Sequence, residues 1–281
     1  MLRPFLSLIV AGAGTAAGLS MTWFGASAHA RSAATMTSDP GATVLTILGV
    51  LLLGAGALSL AVHWVGILVV GAIHALLGLL ALVVPFGNPF GGGIFSPVFQ
   101  ITRMLGVFDQ AMADGATVFY FSGTALVAGT FLVGAALGVR SRRLVGPSSP
   151  KAVAVSSALG AVVLLGATTL LIVAGGAFVR SILVMFKYDP LTAGVTVVAG
   201  VLAGLAGILL RWSSVGAVLA GALVLVAGVY LFLSPTFAAT LSGNLLGAYG
   251  LVMVAGATFV AAAVGGTVRG IDEVSEPVDA L

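Results

Sequence analysis

Eight long runs of apolar residues constrain how this chain can fold more than any other feature. None of the runs contains Asp, Glu, Lys or Arg, and each has roughly the 20 residues that a helix needs to cross a bilayer. Because the runs are continuously apolar and do not alternate with polar residues, they predict helices and not the strands of a membrane barrel. The predicted spans lie near residues 5–24, 43–62, 65–84, 116–138, 152–174, 192–210, 213–233 and 244–266.

The composition points to the same class of protein. Of the 281 residues, 60% are hydrophobic and 7% are charged, and the mean hydropathy is +1.23. Soluble domains carry about 25% charged residues, so the composition excludes an ordinary soluble protein. The chain is predicted to be an all-α polytopic membrane protein with eight transmembrane helices, whose immediate partner is the lipid bilayer.

The residues that usually carry chemistry are scarce. There is no cysteine, which excludes disulfides and thiolate metal sites, and three histidines are the whole imidazole inventory. No metal-binding motif, phosphate-binding loop or Ser/His/Asp set occurs, so the sequence predicts no catalysis, no cofactor and no metal. The pI near 9.7 comes without a patch of Lys and Arg interleaved with aromatic residues, so a nucleic-acid partner is not expected.

The distribution of Lys and Arg predicts that both termini face the cytoplasm. In this orientation seven basic residues lie inside and four lie outside. The abundance of Ala, Gly and Val favours a bacterial plasma membrane. The inner residues are Arg3, Arg140, Arg142, Arg143, Lys151, Arg211 and Arg269, and the outer ones are Arg31, Arg103, Arg180 and Lys187.

The first 30 residues allow a second interpretation. A basic start, an apolar run and Ala28-His29-Ala30 are typical of a secretory signal with a cleavage site. The apolar run of about 20 residues is longer than the usual core of 7–15 residues in a signal peptide, which favours a retained first span. Cleavage stays open as the alternative, and it would leave seven spans with the same orientation.

The second half of the chain repeats features of the first half at a spacing near 150 residues. Their order predicts two four-helix repeats. Because each repeat has an even number of spans, the two repeats would share one orientation and be related by an axis along the membrane normal. The paired features are Asp39-Pro40 with Asp189-Pro190, His63-Trp64 with Arg211-Trp212, Pro85 with Pro235, and Gly129-Thr130-Phe131 with Ala257-Thr258-Phe259.

This repeat divides the chain into four parts. Residues 1–139 form the first repeat, with a long outer loop at 85–115, and residues 152–268 form the second. Residues 140–151 are a basic cytoplasmic linker, and residues 269–281 are an acidic cytoplasmic tail that is expected to be disordered.

Asp39 and Asp189 each precede a proline at the entrance of a span. This pattern is typical of a helix cap, because the carboxylate accepts from free N–H groups and proline lacks an N–H at the first turn. The alternative pairs each carboxylate with a nearby basic residue, Arg31 or Arg180, in an outer polar pair that occurs once per repeat.

His74 is the one residue inside a predicted span that can ionise. An ionisable residue within a membrane is a functional hypothesis by default. A neutral imidazole can also simply donate to a helix carbonyl, and no second titratable group is present in any span to complete a proton path. The structural interpretation is therefore favoured, and an intramembrane polar site is the alternative.

The outer loop at 85–115 is the largest difference between the two repeats, since its counterpart near 234–243 is about a third as long. Ser96-Pro97 is a typical helix start, and it predicts an amphipathic interfacial helix near 97–113. The predicted apolar face holds Val98, Ile101, Leu105, Phe108 and Met112, and the predicted contact residues for a partner or substrate are Gln100, Arg103 and Asp114.

Two functions are compatible with these features. The absence of a polar constellation favours a non-enzymatic accessory or scaffold protein of a cell-envelope membrane complex, which would bind other membrane proteins through the outer loop. The alternative is a carrier or facilitator for a lipid or an apolar small solute at the interface between the repeats. Coupling to an ion gradient is not expected, because the spans contain no acidic or basic residue.

Overall fold

A computed structural model describes residues 2–35, 37–84, 97–142, 149–234 and 245–275. Every regular element within these residues is helical, and we number the α-helices in chain order. They are α1 Leu2–Ala34, α2 Pro40–Leu58, α3 Trp64–Val83, α4 Pro97–Phe108, α5 Gln110–Phe121, α6 Thr124–Ser141, α7 Pro150–Leu170, α8 Gly176–Leu183, α9 Pro190–Ile208, α10 Val215–Leu233, α11 Leu245–Ala248 and α12 Leu251–Ser275.

Eight helical segments are long and apolar enough to cross a membrane, as the sequence predicted. Seven of them are α1, α2, α3, α6, α9, α10 and α12, and the eighth joins α7 to α8 through a π-helical turn at Leu171–Gly175. Many of their large apolar side chains are exposed, and a bilayer would cover these side chains. The chain is a multi-pass helical membrane protein.

Helices α2 and α9 start in the same way. The Asp39 carboxylate accepts a hydrogen bond from the Ala42 amide at 2.9 Å, and the Asp189 carboxylate accepts from the amides of Leu191 and Thr192 at 3.0 and 3.4 Å. Each helix has its proline in the first turn. These contacts satisfy N–H groups that would otherwise lack partners at a helix start.

Spans four and eight begin later in the chain than the sequence predicted. The fourth predicted span started at residue 116, but α6 begins at Thr124 after Gly123, whose φ is 79°. The eighth started at 244, but α12 begins at Leu251 after Gly250, whose φ is 63°. A left-handed glycine interrupts the helical path in both places, since a helix needs negative φ at every residue.

The single helix predicted near 97–113 is wrong, because the chain forms α4 and α5 there. Helix α4 ends at Phe108, and Asp109 starts α5 by accepting a hydrogen bond from the Met112 amide at 3.0 Å. The cap at Asp109 therefore replaces a continued helix with a sharp change of direction.

The break also changes which side chains of this region are buried. Val98 is fully buried, as predicted, and Leu105 and Met112 are partly buried. Phe108 is 85% exposed and Ile101 is 37% exposed, so the bundle does not bury these two residues, and their burial against lipid stays a prediction. With α4 ending at Phe108, no further turn follows to cover that side chain.

The tail also differs from its prediction. Helix α12 continues through Ser275, whereas disorder was expected from residue 269 onward. The stretch up to Ser275 contains no proline, and the first one is Pro277. The helix can therefore extend until the proline and the residue before it disfavour helical backbone.

Helices α6 and α12 lie side by side at the centre and run in the same direction. The rings of Phe131 and Phe259 meet with their centroids 4.7 Å apart, and both side chains are fully buried. Near the ends of the two helices, Gly266 faces the side chain of Val139. Helix α6 also packs on α9, and α12 packs on α2.

Arg142 joins three helical segments where α6 ends. Its Nε donates to the carbonyl of Leu210 at 2.8 Å, its Nη2 donates to the same carbonyl, and its Nη1 donates to the carbonyl of Gly266 at 2.7 Å. Arg142 therefore ties the end of α6 to the 3-10 turn after α9 and to α12. We call the other end of the bundle, where α4 and α5 lie, the hairpin end.

Candidate binding cleft at the hairpin end

Helices α4 and α5 enclose an open cleft of about 390 Å³. The cleft exists because α4 ends before Asp109, which caps the start of α5, and α5 packs against α4. Gly106 leaves room on the α4 side, and Ala113 does so on the α5 side. The lining residues are Phe99, Thr102, Arg103, Gly106 and Val107 from α4, and Gln110, Ala113, Asp114 and Thr117 from α5.

Opposite charges line this cleft without pairing with each other. The Asp114 carboxylate is half-buried and accepts a hydrogen bond from Nε2 of Gln110 at 2.8 Å. Arg103 is exposed and makes no hydrogen bond or ion pair with any residue that the structure describes. The cleft therefore offers one cation and one anion to a ligand.

Of the three predicted contact residues, the structure brings Arg103 and Asp114 together in the cleft. Gln100 is exposed on α4 but does not line the cleft. Gln110 was expected on the polar side of the predicted helix but not among the contact residues, although its position four residues before Asp114 on a helix places the two side chains on one face.

A second surface of α4 is apolar and points away from the bundle. Met104, Val107 and Phe108 are 67, 82 and 85% exposed. Their spacing of three and four residues places them on one side of the helix. We call these three residues the apolar face of α4. This helix is not one of the eight membrane-length segments, so crossing of the membrane does not explain its exposed apolar side chains.

Tyr249, just before α12, lies close to the cleft residue Asp114. Burial raises the pKa of Tyr249, the negative charge of Asp114 raises it further, and the Ser27 hydroxyl and the positive charge of Arg31 oppose this shift. Asp114 on α5 and Arg31 on α1 both affect the pKa of the Tyr249 phenol. The end of α1, the start of α12 and α5 are therefore near one another. The sequence gave no signal for this cluster, because its members are distant along the chain.

The predicted outer polar pairs have a different arrangement in the structure. Asp39 and Asp189 cap their helices, and no ion pair joins them to Arg31 or Arg180 among the described residues. The positive charge of Arg31 instead acts to lower the pKa of Tyr249. The capping role follows from the observed contacts, and a functional role for the pairs stays a prediction.

His74 lies in the middle of α3 and faces a small cavity of about 30 Å³. Its Nδ1 lies 2.9 Å from the carbonyl of Val70, and because a carbonyl only accepts, Nδ1 carries the proton. The rings of Phe119 and Tyr120 lie 6.2 and 6.4 Å from the imidazole. The buried Nε2 has no hydrogen-bond partner within the described part of the chain, and the cavity is large enough for about one water molecule.

His29 contributes a contact that sequence reasoning missed. Its Nε2 lies 3.0 Å from the carbonyl of Phe232, and its Nδ1 lies 3.2 Å from the hydroxyl of Thr43. The side chain therefore connects α1 to α2 and to the end of α10. Its only sequence signal was its place within a cleavage-like motif, and that motif gives no information about a tertiary contact.

Similarity to known proteins gives no function for this arrangement. No family model, no curated protein and no solved structure matches the chain. Within the described ranges, no three His, Asp or Glu side chains gather as a set that could hold a metal ion. The features that bear on function are therefore the cleft, the apolar face of α4 and the packing of the bundle.

Proposed function

We propose that the protein is a non-enzymatic accessory or scaffold protein of a cell-envelope membrane complex, and that a partner membrane protein binds the apolar face of α4. The exposure of Met104, Val107 and Phe108 carries this proposal. An exposed apolar patch outside the membrane-length segments is typical of an interaction surface. Burial of such side chains stabilises a complex by about 1.5–3 kcal/mol each.

The packing at the centre favours a scaffold over a carrier. A carrier built from two repeats binds its substrate at their interface. Here the rings of Phe131 and Phe259 fill the contact between α6 and α12, and neither side chain is exposed. A side chain at Gly134 would collide with the carbonyl of Gly204, so α6 and α9 also lie in direct backbone contact.

Matched contacts support the proposed two parallel repeats. Gly78 lies against the backbone of Leu126, and Gly228 lies against the backbone of Met253. The two contacts involve α3 with α6 and α10 with α12. In each pair a glycine near the end of the third span lets the fourth span approach closely.

A second matched pair lies at the other end of the bundle. The Ser7 hydroxyl donates to the carbonyl of His63 at 2.6 Å. Ser157 and Ser213, each about 150 positions further along the chain, are joined by a hydrogen bond of the same length. The first and third spans of each half therefore meet through a serine at the same relative position.

The direction of the helices also fits parallel repeats. Gly123 at the start of α6 contacts Thr196 of α9, and Gly250 at the start of α12 contacts Thr46 of α2. Since α6 and α12 run in the same direction, the two Asp-Pro starts belong to the same end of the bundle, which is the hairpin end. In the proposed orientation this end is the outer face of a bacterial plasma membrane, and both termini are cytoplasmic.

Site-directed cross-linking tests the proposed partner surface. The chain contains no cysteine, so Met104→Cys places one photoreactive maleimide on the apolar face of α4 at a position that does not line the cleft. In native membranes we expect a discrete protein adduct at this position, and the same adduct from Phe108→Cys.

The matched control is Val226→Cys on α10, where the valine is 68% exposed on a membrane-length helix. This position is expected to react with lipid only. Adducts with lipid alone at Met104→Cys would contradict the scaffold proposal. Adducts with a small apolar solute between the two halves would favour the carrier.

A further inference from the structure

We propose that the cleft between α4 and α5 binds the headgroup of a zwitterionic phospholipid with a primary ammonium group, the phosphate on Arg103 and the ammonium on Asp114. This inference goes beyond the scaffold function. It concerns the cleft, whereas partner binding concerns the apolar face of α4, which shares only Val107 with the cleft.

The charges of the cleft fit this ligand. A guanidinium matches phosphate oxygens with a fork of N–H donors, and Arg103 makes no hydrogen bond within the described residues. The Asp114 carboxylate uses one oxygen for Gln110, and a carboxylate keeps further acceptor positions. A primary ammonium can donate to those positions, whereas a quaternary ammonium has no N–H to donate.

The dimensions of the cleft fit a headgroup. Its volume of about 390 Å³ lies near the lower end of the range of roughly 300–1,000 Å³ for small-molecule sites. Thr102 and Thr117 add hydroxyls to the lining, and Phe99 adds an apolar wall. The cleft is open on one side, which a lipid requires because its acyl chains must leave the site.

The position of the cleft also fits the headgroup layer. Asp114 acts electrostatically on Tyr249, as does Arg31 near the end of α1. Charged residues at the end of a membrane-length helix lie at headgroup depth. The cleft therefore lies near the end of α1, at headgroup depth.

Native mass spectrometry of the full chain, released from nanodiscs of defined composition, tests the proposal. The probes are phosphatidylethanolamine, phosphatidylcholine and phosphatidylglycerol. We expect the wild type to retain one phosphatidylethanolamine and to prefer it over phosphatidylcholine by about tenfold, as expected for one charge-assisted hydrogen bond.

Two variants test the roles of the two charges separately. Arg103→Gln is expected to weaken retention of both zwitterionic lipids by about tenfold. Asp114→Asn is expected to remove the preference for phosphatidylethanolamine over phosphatidylcholine. The control, Arg180→Gln, replaces an arginine that is also exposed but does not line the cleft, and it should change neither retention nor preference.

A third variant tests the cleft without changing a charge. A Cβ at Gly106 would lie 3.5 Å from the Cβ of Ala113, so Gly106→Leu fits the backbone while its larger side chain fills the cleft. We expect this variant to lose the bound lipid while keeping the unfolding temperature of the wild type.

Three results would overturn the proposal. The first is equal retention of all three lipids by the wild type. The second is tighter binding of phosphatidylglycerol than of phosphatidylethanolamine by the wild type, which indicates a site for anionic lipid. The third is unchanged retention in Gly106→Leu, which places the bound lipid elsewhere. Soluble phosphoethanolamine that displaces the lipid at equal concentration would show that the headgroup alone is the ligand.

Discussion

Arg142 stabilises the bundle by joining the end of α6 to two other helical segments. Its guanidinium donates to the carbonyls of Leu210 and Gly266, which belong to different helical segments. Charge-assisted hydrogen bonds of this kind contribute about 1.5–3 kcal/mol each. The sequence identified Arg142 only as a basic residue that sets the orientation, because its carbonyl partners are defined by tertiary packing.

We predict that Arg142→Gln lowers the free energy of unfolding by about 2–4 kcal/mol, since two carbonyls lose a charged donor. Thermal or denaturant unfolding in detergent measures the change. Arg269→Gln is the matched control: Arg269 reaches the carbonyl of Val62 at 3.5 Å, and its loss should cost less. An effect of Arg269→Gln as large as that of Arg142→Gln would contradict this account.

Tyr249 reports on the charges around the cleft. Its pKa is raised mainly by burial, then by Asp114, and it is lowered by Ser27 and Arg31. We therefore predict that Asp114→Asn lowers the pKa of Tyr249 and that Arg31→Gln raises it. The absorbance of tyrosinate during an alkaline titration measures both shifts after subtraction of the Tyr249→Phe titration.

The same shift determines an effect on stability. Below the ordinary tyrosine pKa of about 10 the phenol is neutral in the folded and unfolded chain. Above that pH the unfolded chain ionises first, so the folded state loses stability as the pH rises through the raised pKa. Tyr249→Phe should therefore unfold less steeply with increasing alkalinity than the wild type. Identical alkaline stability of the two proteins would rule out this role of Tyr249.

At the scale of single helices, the sequence predicted where helices start better than where they are interrupted. The starts at Asp39-Pro40 and Asp189-Pro190 carry local signals, and both pairs lie at helix starts in the structure. The turn at Gly123 could not be singled out among 40 glycines, because its positive φ is a property of the folded backbone and its close approach to Thr196 depends on tertiary packing. The cap at Asp109 was missed, because the apolar spacing around it favoured one continuous helix.

Glycines at helix crossings give a prediction at this scale. A Cβ at Gly78 would lie 2.5 Å from the amide nitrogen of Leu126, so Gly78→Ala must separate α3 from α6. We expect a loss of about 1–3 kcal/mol of stability, as for other overpacked sites. The control is Gly166→Ala on α7, where nothing lies within 4 Å of the added atom and alanine favours the helix by up to about 1 kcal/mol.

Unfolding of the two variants in the same detergent decides between packing and helix propensity. We expect Gly78→Ala to lower the free energy of unfolding and Gly166→Ala to leave it unchanged or raise it. If Gly78→Ala were as stable as Gly166→Ala, close approach of α3 and α6 would not explain the glycine.

At the scale of the whole molecule, eight membrane-length helices follow directly from the apolar runs. The way in which the halves fit together could not be predicted from the sequence. Helix α6 packs on α9 of the other half, and α12 packs on α2. The last span of each half therefore contacts the second span of the other half. Recurring Asp-Pro and basic-Trp pairs indicate similar halves, but they carry no information about which surfaces meet.

The cleft could not be predicted from the sequence either, although its two charged residues were identified. Arg103 and Asp114 were expected on one exposed surface of a single helix. They line one cleft only because Asp109 separates α4 from α5. A cavity of this kind depends on the angle between two helices, and hydrophobic spacing along the chain does not encode that angle.

The central claim is that two parallel halves place both Asp-Pro starts and the α4–α5 hairpin on the outer side of the membrane. Cysteine accessibility tests it most directly, because the natural chain has no cysteine and Thr37, Lys187 and Ser149 are exposed. A membrane-impermeant maleimide should label Thr37→Cys and Lys187→Cys in intact cells, and Ser149→Cys only after permeabilisation. Labelling of Thr37→Cys and Lys187→Cys from opposite sides of the membrane would contradict the account.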